Sequence, residues 1–179
     1  MSINDNGIME ALKENPQNGF RMLMAKYQES VYWHIRRLVV SHDDAQDASQ
    51  ETFVRIYRSF GNYRGDCSLR SWIYRIATNE ALRIISKRRQ EVVSMESETT
   101  GVNLIQGDDY IDFSDKVAVQ LQKAILLLPP KQQLAFNLRY YEELGFDEIA
   151  KVADSTPTSI KASYHVAKEK IVKYMNSND

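Results

Sequence analysis

Apolar residues recur at steps of three and four along most of the chain, which is the period of an amphipathic α-helix. The first long run predicts a helix from Phe20 to Val40. A second helix is predicted to begin after Ser41, because serine favours the N-cap position, and to end at Gly61, because glycine is common just beyond a helix C-terminus. A third is predicted over Ser68–Arg89. No segment alternates apolar and polar residues with a period of two, so the pattern predicts an all-α protein.

The pattern changes between residues 90 and 113, where the periodicity fades and serine, threonine, glycine and acidic residues dominate. This composition is typical of a flexible linker. Beyond it, helices are predicted over Ser114–Leu128 and Lys131–Glu143, followed by a short helix over Phe146–Ala153 and a last one from Pro157 to Met175. We therefore predict two small helical domains, one on each side of the linker.

The short helix, tight turn and longer helix at the end of the chain have the pattern of a helix-turn-helix motif. The residues expected to pack between its two helices are Ile149, Ala150, Val152 and Ile160. The residues expected to be exposed at the start of the second helix are Thr158, Ser159, Lys161, Ala162 and His165. Short hydroxyl side chains and a lysine can reach base edges and phosphates in a major groove. Helical bundles that do not bind DNA also contain such corners, so the motif alone leaves both interpretations open.

The third predicted helix carries an unusual polar stripe beside its core face. Trp72, Arg75, Asn79 and Arg83 fall within a sector of roughly 80° at helical spacing. An aromatic ring, an amide and two guanidinium groups together provide stacking, hydrogen bonding and phosphate neutralisation, which is how proteins bind single-stranded DNA. The alternative is that Trp72 packs at the edge of the core and the arginines around it are simply solvated. The pattern by itself favours neither interpretation.

Charge is distributed unevenly along the chain, although the net charge is only −1. Residues 1–89 carry 14 basic and 10 acidic side chains, residues 90–113 carry 6 acidic and no basic ones, and residues 114–179 carry 9 basic and 8 acidic ones. An acidic connector between two weakly basic halves is either a solvated linker or a segment that also repels phosphate.

Composition excludes several classes of protein. Cys67 is the single cysteine, which excludes an intramolecular disulfide and a zinc site built from cysteines. The longest apolar runs are far too short to span a membrane, and the N-terminal residues lack the basic start and apolar run of a signal peptide. We therefore expect a soluble cytoplasmic protein with no cofactor and no metal.

Two blocks of sequence resemble one family. The block DAQDASQETFVRIYRSFGNYRGDCSLRSWIYRIATNEALRIISKRR resembles region 2 of the extracytoplasmic-function (ECF) sigma factors of bacterial RNA polymerase. The block LLLPPKQQLAFNLRYYEELGFDEIAKVADSTPTSIKASYHVAKEKI resembles their region 4. The resemblance implies a region 2 domain at residues 1–89, a linker at 90–113, a region 4 domain at 114–179, and no region 3. It also implies binding to promoter DNA, to the clamp helices and flap of core RNA polymerase, and to an anti-sigma factor, with no small-molecule substrate.

The resemblance also assigns roles to individual residues. Those that match the polymerase-binding motif, in which we expect Phe53 to be an exposed aromatic, are Asp47, Gln50, Glu51, Phe53 and Arg55. Together with the polar stripe, the residues expected to bind and melt the minus-ten element are Tyr63, Arg64, Trp72, Arg75, Asn79, Arg83, Lys87 and Arg88. Together with the exposed positions of the helix-turn-helix, the residues expected at the minus-thirty-five element are Thr156, Thr158, Ser159, Lys161, Ala162 and His165.

The chain departs from the family at three positions. Asp154 stands in the turn of the helix-turn-helix, where the family usually has glycine, but aspartate tolerates a left-handed conformation. Ser163 and Val166 stand where the family usually has arginine. Two missing guanidinium groups are expected to weaken contacts with phosphates and guanines at the minus-thirty-five element.

Three other functions are weighed against this one. An enzyme is disfavoured because the histidines are scattered and no phosphate-binding loop, zinc-protease or nucleophile-elbow motif is present. His34 lies on an apolar stripe and is expected to be a core residue. An autonomous helix-turn-helix regulator would need no polymerase-binding helix and would be expected to dimerise. A structural helical adaptor would not explain why Arg75, Asn79 and Arg83 share one stripe.

Overall fold

The computed structural model describes residues 2–94 and 115–178, and this part of the chain is helical, as predicted. The helices of the N-terminal half are α1 (Asp5–Glu14), α2 (Pro16–Val39), α3 (His42–Ser59) and α4 (Leu69–Ser94). Those of the C-terminal half are α5 (Lys116–Leu126), α6 (Pro130–Tyr140), α7 (Phe146–Val152) and α8 (Pro157–Ser177). Residues 90–94, assigned above to the linker, continue α4. The rest of the predicted linker, from 95 to 113, lies outside the described residues.

Helix α1 was not predicted, since the first helix predicted from the sequence begins at Phe20. The Asn4 side chain caps α1 by accepting a hydrogen bond from the backbone N–H of Gly7 at 2.7 Å. Ile8 and Leu12 are buried on one face of α1, which packs against α2. Gly19 permits this packing, since a Cβ atom there would lie only 2.4 Å from the backbone nitrogen of Leu12.

The corner between α2 and α3 is unusually tight. Val40 has φ 69° and ψ −43°, and the N–H of Ser41 bonds to the carbonyl of Val39 at 2.9 Å, which together describe a γ-turn. A β-branched residue with positive φ is strained, so packing must hold it there. Ser41 caps α3, as predicted. Helix α3 ends at Ser59 with Phe60 as its C-cap, so Gly61 stands just beyond the helix C-terminus as predicted, but it lies in a 3-10 turn and does not have positive φ.

The two halves of the chain pack against each other through one hydrophobic cluster. This cluster extends from Ile8 in α1 to Ile160 in α8, and its main contact between halves is that of α4 with α7. A second, smaller cluster, with Ile125 and Ile171 at its centre, joins α5, α6 and α8. The two predicted domains, whose relative orientation the sequence did not predict, therefore pack against each other in this conformation.

Glu142, in the loop after α6, is the polar centre of the contact between the halves. Its carboxylate accepts a hydrogen bond from the Tyr74 hydroxyl at 2.6 Å and pairs with Arg37 at 3.1 Å, while its backbone carbonyl accepts from Arg70. The Arg37 guanidinium also lies 4.0 Å from the centre of the Tyr141 ring. Burial and the adjacent Glu142 charge raise the pKa of Tyr74, so its hydroxyl remains a donor.

His34 is buried at the interface of α2 and α4, as the apolar stripe predicted. Its Nε2 atom lies 2.8 Å from the Thr78 hydroxyl and its ring meets that of Tyr74 edge to face. Burial, and secondarily the charge of Arg37, lower the pKa of His34 to about 3. The imidazole of the folded protein is therefore neutral at neutral pH.

We expect the free energy of unfolding to fall on acidification because of His34. The unfolded chain binds a proton at its ordinary pKa of 6.5 and the folded chain only near 3, so stability falls by up to about 1.4 kcal/mol per pH unit between these values. Urea unfolding at pH 7, 6 and 5 measures this slope. His34→Gln should remove it, whereas the same change at exposed His165 should leave it intact. Equal slopes in both variants would contradict this role of His34.

Candidate nucleic-acid interface

The polar stripe of α4 is present as predicted. Arg75, Asn79 and Arg83 are exposed along one side of the helix, and Trp72 is half-buried at its start. The opposite side of α4 carries Leu69, Ile73 and Ala77, which are in the core. The helical repeat thus separates a buried apolar face from an accessible polar one.

An aromatic cluster stands at the start of the stripe. The Trp72 ring lies 5.2 Å from that of Tyr63 and 6.5 Å from that of Phe60, centre to centre. The Tyr63 hydroxyl donates a hydrogen bond to the carbonyl of Cys67 at 2.6 Å, which holds the loop between α3 and α4 in place. Trp72 also packs against the core, so part of the alternative interpretation holds for it. What remains accessible is an aromatic surface about two helical turns before Asn79 on the same side of α4.

Two of the arginines predicted to contact DNA already have acidic partners. Arg83 pairs with Glu80 at 3.0 Å, and Arg88 pairs with Asp44 at the start of α3. Arg64, Arg75 and Lys87 are exposed. The stripe is therefore not a row of simply solvated arginines, and its net positive charge is smaller than the sequence implied.

The helix-turn-helix has the predicted internal packing. Ile149, Ala150, Val152 and Ile160 are all buried between or beneath α7 and α8. Asp154 has φ 51°, so it adopts the left-handed conformation expected of it. The Thr156 hydroxyl accepts a hydrogen bond from the N–H of Ser159 at 3.2 Å, which makes it the cap of α8.

The exposed side of α8 carries the other predicted residues. Thr158, Lys161, Ala162 and His165 recur at three- and four-residue spacing and are all exposed, while Ser159 is half-buried. Val166 is 40% exposed, so the position where the family usually has arginine is accessible but apolar.

Lys131, at the start of α6, joins this surface and was not predicted. Its ammonium group donates a hydrogen bond to the Ser159 hydroxyl at 2.6 Å, beside the first turn of α8. The two residues are 28 positions apart, so no local sequence signal could have related them. The ammonium group supplies positive charge near a helix that lacks the two arginines.

The predicted polymerase-binding helix α3 requires one correction. Phe53 was expected to be exposed, but it is only 6% exposed and belongs to the core. Residues Asp47, Gln50 and Arg55 are exposed and Glu51 is half-buried. The accessible aromatic is Tyr57, which is 55% exposed and lies one helical turn beyond Phe53.

A groove between α2 and α3 runs beside these residues. It has a volume of about 1110 Å³ and a largely apolar lining. Its walls include Phe20, Met24, Tyr32, Phe53, Val54 and Tyr57. The Phe20 and Tyr57 rings meet edge to face at 5.2 Å. An apolar groove of this kind fits an amphipathic helix of a partner protein.

The C-terminal half touches the loop that precedes α4. The Lys151 ammonium donates a hydrogen bond to the carbonyl of Asp66 at 3.0 Å, and the Ser68 hydroxyl lies 3.5 Å from a carboxylate oxygen of Glu148. Helix α7 thus covers one side of the loop that the resemblance assigns to base capture. Burial raises the pKa of the Cys67 thiol in this loop, which disfavours the thiolate.

Within residues 2–94 and 115–178, no group of three or more histidine, cysteine, aspartate or glutamate side chains could hold a metal ion. No helix in that part of the chain is long and apolar enough to cross a membrane.

Comparisons with known proteins agree on one family. Family models match residues 23–91 as Sigma-70 region 2 and residues 118–171 as Sigma-70, region 4. RNA polymerase sigma-H factor of Pseudomonas aeruginosa is 28% identical over 94% of this chain and 92% of its own. ECF RNA polymerase sigma-E factor of Haemophilus influenzae is 25% identical to this chain, and the aligned segment covers 94% of this chain and 94% of that protein.

Solved structures share the fold. CnrH, in its complex with the cytosolic domain of CnrY, superposes with a TM-score of 0.74 over 98% of this chain and 99% of that one, at 15% identity. The sigma factor RpoE of Bartonella quintana, in complex with the anti-sigma factor NepR, superposes with a TM-score of 0.71. The superposition covers 89% of this chain and 98% of that one, at 19% sequence identity.

Proposed function

Because the chain belongs to the sigma-70 family and is an RNA polymerase sigma factor of the ECF type, we propose that three of its surfaces divide the work of promoter recognition, promoter opening and polymerase binding. The observation that carries the proposal is that each surface presents accessible side chains of the appropriate chemistry on a rigid helix. The domain limits at 1–89, 90–113 and 114–179 are part of the same proposal.

The stripe on α4 holds the opened minus-ten strand. Trp72 and Tyr63 offer ring faces for stacking, Asn79 offers an amide for the edge of an extruded base, and Arg75, Arg83 and Lys87 lie where phosphates would pass. Extruding a base costs a few kcal/mol, so stacking and hydrogen bonding must offset it.

The exposed side of α8 reads the minus-thirty-five element. Lys161 and Lys131 supply charge, and Thr158, Ser159 and His165 supply hydrogen-bonding groups near the helix start. Since Lys131 donates to the Ser159 oxygen, the Ser159 hydroxyl keeps its own proton free to donate. Base acceptors such as guanine N7 and O6 are suitable partners for that proton.

Helix α3 and the adjoining groove bind core polymerase. Asp47 and Gln50 form a polar rim, while Tyr57 and Val54 form an accessible apolar centre next to the groove. A polar rim around an aromatic anchor is how protein interfaces concentrate binding energy. The occupant proposed is a clamp helix of the largest polymerase subunit.

The wider expectations follow from the same function. The protein works in the cytoplasm, has no catalytic activity of its own, and uses no cofactor. CnrH and RpoE were solved with CnrY and NepR, so we also propose that an anti-sigma protein restrains this chain.

Run-off transcription with core polymerase on a library of promoters tests the function directly. Transcription from a subset of promoters, only when the chain is added, is the expected result. Sequence-specific DNA binding without polymerase, and no stimulation of transcription with it, would instead indicate an autonomous regulator.

Tyr57→Ala is expected to weaken binding of core polymerase by tenfold or more, because buried interface aromatics commonly contribute 2 kcal/mol or more. Titration of labelled chain with core polymerase measures the affinity. Tyr140→Ala is the matched control, since Tyr140 is similarly exposed, at 54%, but lies on α6 in the other half. Unchanged affinity for Tyr57→Ala would remove this surface from the proposal.

A further inference from the structure

Glu80 on α4 is a buried carboxylate held between two arginines. Glu80 is only 3% exposed. One carboxylate oxygen lies 2.5 Å from Nε of Arg55, and the other lies 3.0 Å from both Nε and Nη2 of Arg83. Each carboxylate oxygen of Glu80 therefore pairs with a different guanidinium group.

The two arginines belong to different surfaces. Arg55 lies on α3, within the proposed polymerase-binding surface, and also pairs with Glu51 at 3.2 Å. Arg83 lies on the stripe of α4, which is proposed to hold the DNA strand. The side chains of Arg55 and Arg83 are 51% and 56% exposed, so both guanidinium groups are accessible to partners while they remain attached to Glu80.

We propose that Glu80 is a positioning residue that couples these two surfaces, and that Arg55 controls how freely Arg83 can bind a DNA phosphate. The inference rests on the proposed function. A carboxylate buried without any cationic partner is strongly destabilising. While Arg55 remains on Glu80, Arg83 can move to a phosphate and leave the carboxylate compensated. Without Arg55, the Glu80 carboxylate has only Arg83 as a partner. Moving Arg83 to a phosphate would then leave the carboxylate unpaired, so this movement becomes unfavourable.

Arg55 lies on the polymerase-binding helix, yet its loss should affect promoter affinity although it does not touch DNA. Its loss should have the same effect as the loss of Arg83, because in both cases one guanidinium group is withheld from the phosphates.

Promoter binding by the saturated holoenzyme tests the coupling. Each variant is mixed with core polymerase well above its own dissociation constant, and the affinity for a labelled promoter is measured across a range of salt concentration. Arg83→Ala should reduce the slope of log K against log salt by about 0.7 to 0.9, the loss of one phosphate contact. Arg55→Ala should give a similar reduction, and the double variant should be no worse than Arg83→Ala alone.

The control variants separate this coupling from general damage. Arg55→Lys keeps a cation and should retain most of the promoter affinity. Arg58→Ala removes an exposed arginine from the same helix and should leave the slope unchanged. In a Glu80→Gln background, Arg55→Ala should no longer change the slope of log K against log salt, while Arg83→Ala should still reduce it.

Two outcomes would overturn the inference: an Arg55→Ala variant with the wild-type slope and affinity, or effects of Arg55→Ala and Arg83→Ala that simply add. The cycle of Arg55 and Arg83 variants is decisive without any change at Glu80, should Glu80→Gln unfold. A wild-type holoenzyme that fails to bind any promoter would contradict the proposed function instead.

Discussion

Replacing Asn79 with alanine is expected to slow promoter opening by roughly tenfold and to leave the affinity for core polymerase unchanged. Asn79 is exposed at the middle of the α4 stripe, so its amide is available to DNA and its truncation leaves the core intact. A lost hydrogen bond of about 1.4 kcal/mol corresponds to a factor of ten. The rate is measured with a fluorescent base in the minus-ten region, and Gln90→Ala, an exposed amide three turns further along α4, is the control.

A second template distinguishes two ways in which Asn79 can act. If Asn79 helps to open the duplex, a promoter already mismatched across the minus-ten region should rescue part of the defect. A defect of equal size on both templates would mean that Asn79 holds the strand without helping to open it. Wild-type rates on both templates would show that Asn79 has neither role. Trp72→Ala is less informative, because this ring also packs against Phe60, Tyr63 and the core.

Glu142→Ala is expected to separate the two halves of the chain. The substitution leaves Arg37 and the buried Tyr74 hydroxyl without the carboxylate that they share. Removing one member of such a buried group costs about 3–5 kcal/mol, which shifts an opening equilibrium by a factor of a hundred or more. Small-angle scattering of the free protein should show an increased radius of gyration. Glu169→Ala, at an exposed acid of α8, should not change it.

Separation of the halves should also strengthen promoter binding. The two promoter elements lie about 25 base pairs, or roughly 85 Å, apart along the DNA axis. A compact chain of this length has a radius of gyration of only about 16 Å, so the packed halves cannot contact both elements at once. Any part of the population that stays packed lowers the apparent affinity in proportion. Unchanged scattering and unchanged promoter affinity of Glu142→Ala would show that Glu142 does not hold the halves together.

Local features of the fold could be predicted from the sequence. Ser41 was identified as a cap and Asp154 as a left-handed turn residue, because both depend on interactions within a few residues of the chain. The helix-turn-helix packing was predictable for the same reason. Helix α1 was missed because its apolar residues, Ile8, Met9, Ala11 and Leu12, lie in a short and otherwise polar segment, and the burial of Ile8 and Leu12 depends on α2.

Long-range features could not be predicted. Helical spacing places Phe53 and Tyr57 on one side of α3, but it does not tell which of them the neighbouring helix covers. The stripe on α4 was correctly located, yet the pairing of Arg83 with Glu80 changes how much of its charge DNA can use. The ion pair between Arg37 and Glu142 joins residues 105 positions apart, and the periodicity of the sequence gives no indication of such a contact.

The strained γ-turn at Val40 has a consequence for how the groove meets a partner. A three-residue corner leaves almost no slack between the end of α2 and the cap of α3, so the helices that form the walls cannot easily drift apart. A groove that is already shaped before binding loses little conformational entropy when it is filled. Such a surface favours a ligand that is itself a preformed helix, and it discriminates by shape rather than by adapting to each occupant.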